Sequence, residues 1–260
     1  MAAALLMMNM HGAVMASDCD RTIFRYSEKI PFAIMVDPRS ILPWEKIMME
    51  YQAQKSISNE MSFKDCAIDF REYLTGLLKS KDSDTQKNES DKQVICIGYD
   101  SDSIFPKASI ITTAITERGF MINRPIEISN LPKSVCLQML GNCENIRILL
   151  GGMSDDLSQK IEDLFFHKIS DIVGKKDSAR VINDFGNYIK EQLDTMQEDT
   201  KVLDAISFFT IKDMVKMAEN LIETEGLLNS DSSMISPTRE IGIVTLAEGF
   251  VYIKHSLYGA

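Results

Sequence analysis

The first 36 residues constrain the fold more than any other stretch. Residues 2–8 are a continuous apolar run, residues 9–12 carry turn chemistry in Asn9 and Gly12, and residues 13–16 are apolar again. Two short apolar runs split by a turn predict a buried β-hairpin. Residues 22–26 and 32–36 repeat the design around a polar connection that ends at Pro31. A chain that enters its first strand this early is expected to have a buried or cleft-facing N-terminus, whereas termini ordinarily fray. The reading is that the terminus itself is a working part.

Helical periodicity takes over after Pro38. Pro43 suits a first helical position, where its missing N–H costs little. Trp44, Ile47, Met48 and Tyr51 then make one apolar face, with Trp44 read as a core residue rather than a binding aromatic. Ser62 is the expected N-cap of a second helix, whose stripe is Phe63, Cys66, Phe70, Leu74, Leu77 and Leu78. Residues 80–93 are polar without apolar period and are expected to be a mobile loop. Residues 94–99 read as a buried strand, residues 100–103 as a turn, and residues 105–117 and 119–128 as a hairpin. Asp100, Asp102 and Ser103 lack the glycine and distal glutamate of an EF-hand.

Residues 130–150 support two readings. Val135, Met139 and Leu140 suit a short helix, and residues 146–150 a strand or a helical turn. Gly151 and Gly152 are a break and not a phosphate loop, since no Lys follows at the required spacing. Extra helices are expected over about 154–200, with Ser154, Asp155 and Asp156 as a start signal. Thr210 and Asp213 form a capping-box-like start for a helix with Ile211, Met214, Ala218, Leu221 and Ile222 on its face and Gly226 as its C-cap. Residues 241–246 and 250–255 close the chain as a hairpin.

Strands, two helices, strands, several helices, strands: this order predicts an α+β fold, a four-layer αββα sandwich of two antiparallel sheets between helical layers. Residues 1–260 are read as a single domain. No βαβ alternation supports a Rossmann-type sheet.

Twenty-eight basic against 38 acidic residues give a net charge of −10. This argues against a nucleic-acid or anionic-membrane surface. The five cysteines, Cys19, Cys66, Cys96, Cys136 and Cys143, are scattered and form no Cys-x-x-Cys pair. Neither a disulfide framework nor a zinc site is supported, and the three histidines are too far apart in sequence for a ligand pair. No cofactor and no metal are expected. The N-terminal run lacks the basic segment of a signal peptide, and no stretch suits a bilayer span. The expected setting is cytoplasmic, with reduced thiols.

Several local features carry a resemblance. They are the strand at the N-terminus followed by His11, Gly12, Ala13 and Val14, and the step Ala16, Ser17, Asp18 closing the second strand. They continue with residues 24–36 as the next strand pair, Pro43 to Met48 as a first helix, and the closing hairpin of residues 240–255. In order and spacing these resemble the N-terminal-nucleophile hydrolases, specifically proteasome β-type subunits and their bacterial relatives. The resemblance implies a threonine-type peptidase or amidohydrolase. In that family the residue exposed by removal of Met is Thr, Ser or Cys, its side chain attacks an amide carbonyl, and its own α-amine, with a pKa of about 8, is the base. It implies an Asp at the end of the second strand and a Lys from the third.

Asp18 falls where the Asp belongs if residue 2 is the nucleophile position. Residue 2 is Ala2, which has no nucleophilic atom, and no Ser, Thr or Cys precedes Ser17. Arg21 occupies the expected Lys position, and a guanidinium stays charged and does not trade protons. As written, the chain lacks the family's chemistry. Either position 2 was changed to Ala, or this is a natural relative that kept the fold and lost the reaction; two departures together favour the latter. Three functions follow. One is a proteasome-like peptide or amide hydrolase, inactive as written. Another is a non-catalytic structural or regulatory subunit of a homo- or hetero-oligomeric ring, with a companion subunit or an ATP-dependent unfoldase as partner. The last uses Cys19, beside Asp18 and Arg21, as a different nucleophile.

Overall fold

The computed structural model describes residues 2–26, 30–54, 61–81, 83–116, 119–128, 135–151, 201–228 and 240–254. Where the sequence predicts one domain, the chain divides into two compact units, Met1–Cys143 with Ile206–Ala260, and Glu144–Ala205. In the second unit the described residues are helix α4 (Glu144–Gly151) and the start of α5 (Lys201–Ser207). The helices expected over 154–200 lie outside the described residues.

The first unit is a sandwich of two antiparallel sheets. The N-terminal hairpin is β1 (Ala3–Asn9) and β2 (Gly12–Ser17), paired from Ala4↔Ser17 to Asn9↔Gly12. The second hairpin, β3 (Ile23–Arg25) and β4 (Phe32–Val36), crosses into the other sheet. There β4 is followed by β5 (Gln93–Gly98), β6 (Lys107–Thr116) and β7 (Gly119–Ile122), with β8 (Ile126–Glu127) beside β6. The first sheet is completed by β9 (Cys136–Gly141) on one side of the N-terminal hairpin and by β10 (Glu240–Thr245) and β11 (Gly249–Lys254) on the other.

Strand alternation sorts the side chains into layers. Phe32, Ile34 and Val36 of β4 join Val94 and Cys96 of β5 under helices α1 (Trp44–Gln54) and α2 (Phe63–Lys79). Ala33, Met35, Ile95 and Ile97 point the other way and meet Ala4, Leu6, Met8, Ala13 and Met15 of the first sheet. Helix α6 (Ile211–Leu228) covers β1 and β2 from outside. The architecture is therefore the expected αββα sandwich. Each large apolar side chain buried in it contributes roughly 1.5–3 kcal/mol. That explains why both faces of β1 are apolar from Ala3 to Met8, all of them buried.

The helices follow their predicted faces. Trp44, Ile47, Met48 and Tyr51 are the buried residues of α1. Ser62 caps α2, its Oγ accepting the Asp65 amide at 3.1 Å. Thr210 and Asp213 cap α6 reciprocally, the Thr210 Oγ1 accepting the Asp213 amide and the Asp213 carboxylate accepting the Thr210 amide.

Several expectations are corrected. Pro43 precedes α1, its carbonyl accepting the Ile47 amide, so it holds the cap position and not the first helical one. Residues 80–93 are not wholly loop. They contain α3 (Ser83–Asn88), which is followed by the buried Glu89, and they reach the first residue of β5 at Gln93. Val135, Met139 and Leu140 belong to no helix. Residues 136–141 are a strand because β1 offers Ala3 to Met8 as partners, from Ala3↔Gly141 to Met8↔Cys136. Residues 146–150 lie in helix α4. Gly226 lies inside α6 and does not end it; the buried stripe runs on through Glu225, and packing outweighs the ~1 kcal/mol helical cost of a glycine. Among the described residues no helix is long and apolar enough to cross a membrane.

Candidate functional site

The N-terminal strand is fixed by a carboxylate. Asp18, directly after β2, is nearly fully buried and its Oδ1 accepts the Ala3 amide at 2.8 Å. The Asp18 amide donates back to the Ala3 carbonyl at 3.2 Å, and the Ser17 hydroxyl joins at the same oxygen. Ala2 is half-buried, one residue upstream of this clasp. Its carbonyl accepts the Asn142 amide at 2.8 Å, so β9 closes the other side. Gly141 makes that approach feasible. It has φ +79°, and a β-carbon on it would lie 2.2 Å from the Ala2 oxygen and 2.8 Å from Pro38 Cγ. Ala2 and Pro38 thus both border Gly141.

Cys19 shares the Asp18 carboxylate, its Sγ donating to Oδ1 at 3.2 Å. Cys66 and Cys136 are buried, and burial pushes their thiols up to about 11 and about 12. This is structural and not nucleophilic chemistry.

Arg21 lies two residues before β3, in a turn, with φ +63°. Its guanidinium meets Glu45 of α1 at 3.0 Å, both side chains being about half exposed. The turn is held from below by Glu240, the first residue of β10, which is fully buried. Its Oε1 accepts the Arg21 amide at 2.8 Å, and its Oε2 accepts the Thr22 amide, the Thr22 hydroxyl and the Ile23 amide at 2.9–3.0 Å.

Beyond this turn a cavity of about 340 Å³ opens between Arg21, Thr22, Asp37, Ser40, Trp44 and Glu45. Pro38 is part of its lining and also stands against Gly141. The loop between β4 and α1 forms one wall and is itself tied down by two buried acids. Asp37 takes the Arg39 amide, Nε and guanidinium, and that hydrogen bonding holds Arg39 even more firmly protonated than usual. Glu89 accepts from the Ser40 hydroxyl and the Ile41 amide.

The sequence reading brought Ala2 and Asp18 to one place. It missed Glu240, Asp37 and Glu89. The available signal was a charged residue heading or ending an apolar strand, as Glu240 and Asp37 do. Among the described residues no group of three or more His, Cys, Asp or Glu stands close enough to hold a metal ion.

No family model matches the chain, and no curated protein matches it. Among solved structures the chain is similar to Anbu (ancestral beta-subunit) from Yersinia bercovieri, with a TM-score of 0.47 and 11% identity over 98% of this chain and 88% of that chain.

Proposed function

We propose that this chain is a proteasome-like protein of the N-terminal-nucleophile hydrolase fold whose peptide-cleaving site lacks its nucleophile as written. The observation that carries the reading is the clasp between Asp18 and Ala3. Residue 2, half-buried, directly precedes the amide that this carboxylate holds. Asp18 takes the orienting role, Ala2 stands at the nucleophile position, and Arg21 stands where the resemblance calls for a Lys. The cavity is the space for a side chain of a bound peptide. Fold is retained more readily than chemistry, and a methyl group at position 2 leaves no atom to attack a carbonyl. On this reading the chain works as a silent member of a ring, homo- or hetero-oligomeric, with a companion subunit or an unfoldase.

The test restores the missing atom. The Ala2→Thr protein with Met1 removed is incubated with a peptide bearing an electrophilic C-terminus, and the intact mass is measured. Modification at residue 2, absent from the parent protein, is expected. A folded variant that stays unmodified sinks the reading of residue 2 as a nucleophile's seat. Light scattering on the parent protein is expected to give a defined oligomer, and monomers alone would remove the ring role.

A further inference from the structure

The cavity wall is governed by a residue outside the cavity. Ser40 Oγ donates to Glu89 Oε2 at 2.6 Å and accepts from Trp44 Nε1 at 2.7 Å and from the Leu42 amide at 3.3 Å. A hydroxyl has one proton and two lone pairs, so Ser40 is fully used. The second oxygen of Glu89 accepts the Ile41 amide at 2.7 Å. Ser40 and Ile41 directly, and Leu42 and Trp44 through the Ser40 hydroxyl, are thereby organised by one carboxylate.

Glu89 is well placed to govern them because its own backbone is immobilised. The Thr113 hydroxyl on β6 donates to the Glu89 carbonyl, and the Glu89 amide donates to Thr85. The side chain is 1% exposed. Around it stand Lys92 of its own segment, Asp37 from the loop after β4, and Ser40, with Arg39 neutralising Asp37. Lys92 and the two donated hydrogen bonds favour the carboxylate. Burial and Asp37 disfavour it, and burial outweighs the rest. Glu89 therefore takes up a proton more readily than an ordinary glutamate does.

We propose that Glu89 is a proton-operated latch on the cavity. Ionised, it holds Ser40 and Ile41 and, through Ser40, the indole of Trp44. Protonated, it exchanges charge-assisted hydrogen bonds for neutral ones of about half the strength, and the wall from Ser40 to Trp44 slackens. Acidification then changes the shape of the pocket without unfolding the sandwich. The effect on a bound peptide rests on the function proposed above. The latch rests only on these contacts, and its test needs no peptide.

Trp44 is the chain's single tryptophan, so its emission reports this wall alone. Emission is followed from about pH 7.5 to about pH 4.5, with far-UV circular dichroism recorded alongside. The parent protein is expected to red-shift while its circular dichroism stays native. Glu89→Gln is expected to show the shifted emission at every pH, with no transition. Ser40→Ala, which cuts the link between Trp44 and Glu89 but leaves the Ile41 bond, is expected to lose the transition too, and it serves if Glu89→Gln does not fold. A flat parent titration with native circular dichroism overturns the latch, and so does an undiminished transition in either variant. If the Ala2→Thr protein proves unreactive while the Trp44 transition is present, the hydrolase reading fails and the latch stands.

Discussion

The carboxylate of Glu240 holds Thr22 twice, by its amide at 2.9 Å and its hydroxyl at 3.0 Å, across 218 residues of chain. With the Arg21 and Ile23 amides included, one side chain at the head of β10 shapes the turn that leads from Asp18 into the other sheet. The turn has no repeating backbone ladder of its own, so the buried Thr22 and Ile23 amides rely on this carboxylate.

Removal of that carboxylate is therefore expected to be costly. Glu240→Ala leaves buried N–H groups unanswered and is expected to lower stability by about 3–5 kcal/mol in urea unfolding. Glu240→Gln keeps the volume but turns an NH₂ toward donors, and about 2 kcal/mol or more should be lost. A Gln variant as stable as the parent would show that the turn holds itself.

Asp100 gives a pH-dependent case. Its Oδ1 accepts the first amide of α2, Phe63, at 2.6 Å, and its Oδ2 meets Lys107 at 2.7 Å. Burial pushes its carboxyl up, but the Lys107 ammonium and the Phe63 amide together hold it below the ordinary value of 3.8. A group depressed in the folded state stabilises above its unfolded pKa, and the stabilisation is lost as pH falls through the folded one. The stability gap between the parent protein and Asp100→Asn should be constant near neutrality and shrink below about pH 4. Urea unfolding at a series of pH values checks it, and a gap that widens in acid would contradict the assignment.

The α6 cap offers a smaller, local test. Thr210 and Asp213 satisfy each other's amides at 3.1 and 3.2 Å. Thr210→Ala removes the hydroxyl acceptor and is expected to cost about 1 kcal/mol, read as a shift in the urea midpoint at unchanged slope. A loss of roughly 3 kcal/mol or more would mean that the α6 terminus does more than cap a helix.

What the sequence made legible is local. The two N-terminal hairpins follow from apolar runs split by Asn9 to Gly12 and by the stretch ending at Pro31, because turn chemistry and strand length are neighbours in sequence. The faces of α1 and α2 follow from spacing alone. β9 was not legible. Val135, Met139 and Leu140 satisfy a helical spacing, and only β1, more than a hundred residues earlier, makes that stretch a strand. The site divides the same way. Asp18 is recognisable from its place at the end of β2, next to its target. Glu240 and Glu89 are not, since their donors lie 218 and 48 residues away; the charge at the head of an apolar strand marks Glu240 but does not name its partners. Arg21 shows the limit of counting: it reads as a strand residue, but the pull of Glu240 on three successive amides bends the chain into a turn there.

The closest contact near the N-terminus yields the sharpest test. Gly141 has φ +79°, a region that residues with a β-carbon rarely adopt. A methyl group there would sit 2.2 Å from the Ala2 carbonyl oxygen, and backbone cannot step aside as a flexible side chain can. Gly141→Ala must therefore push β9 away from the start of β1 and break the bond from the Asn142 amide to Ala2. Conformational strain of about 1–3 kcal/mol and the lost hydrogen bond of about 1 kcal/mol add in the same direction. The expected loss is about 2–4 kcal/mol in urea unfolding. The more diagnostic readout is amide exchange. Protection at Asn142 should fall sharply while that of Ile243 and Val244 in β10, on the far side of the sheet, stays high. In the Ala2→Thr background the same substitution should also slow modification at residue 2, because the seat has lost one of its two sides. Stability within roughly 0.5 kcal/mol of the parent, with Asn142 still protected, would mean that Ala2 is not held between Asp18 and β9 as described.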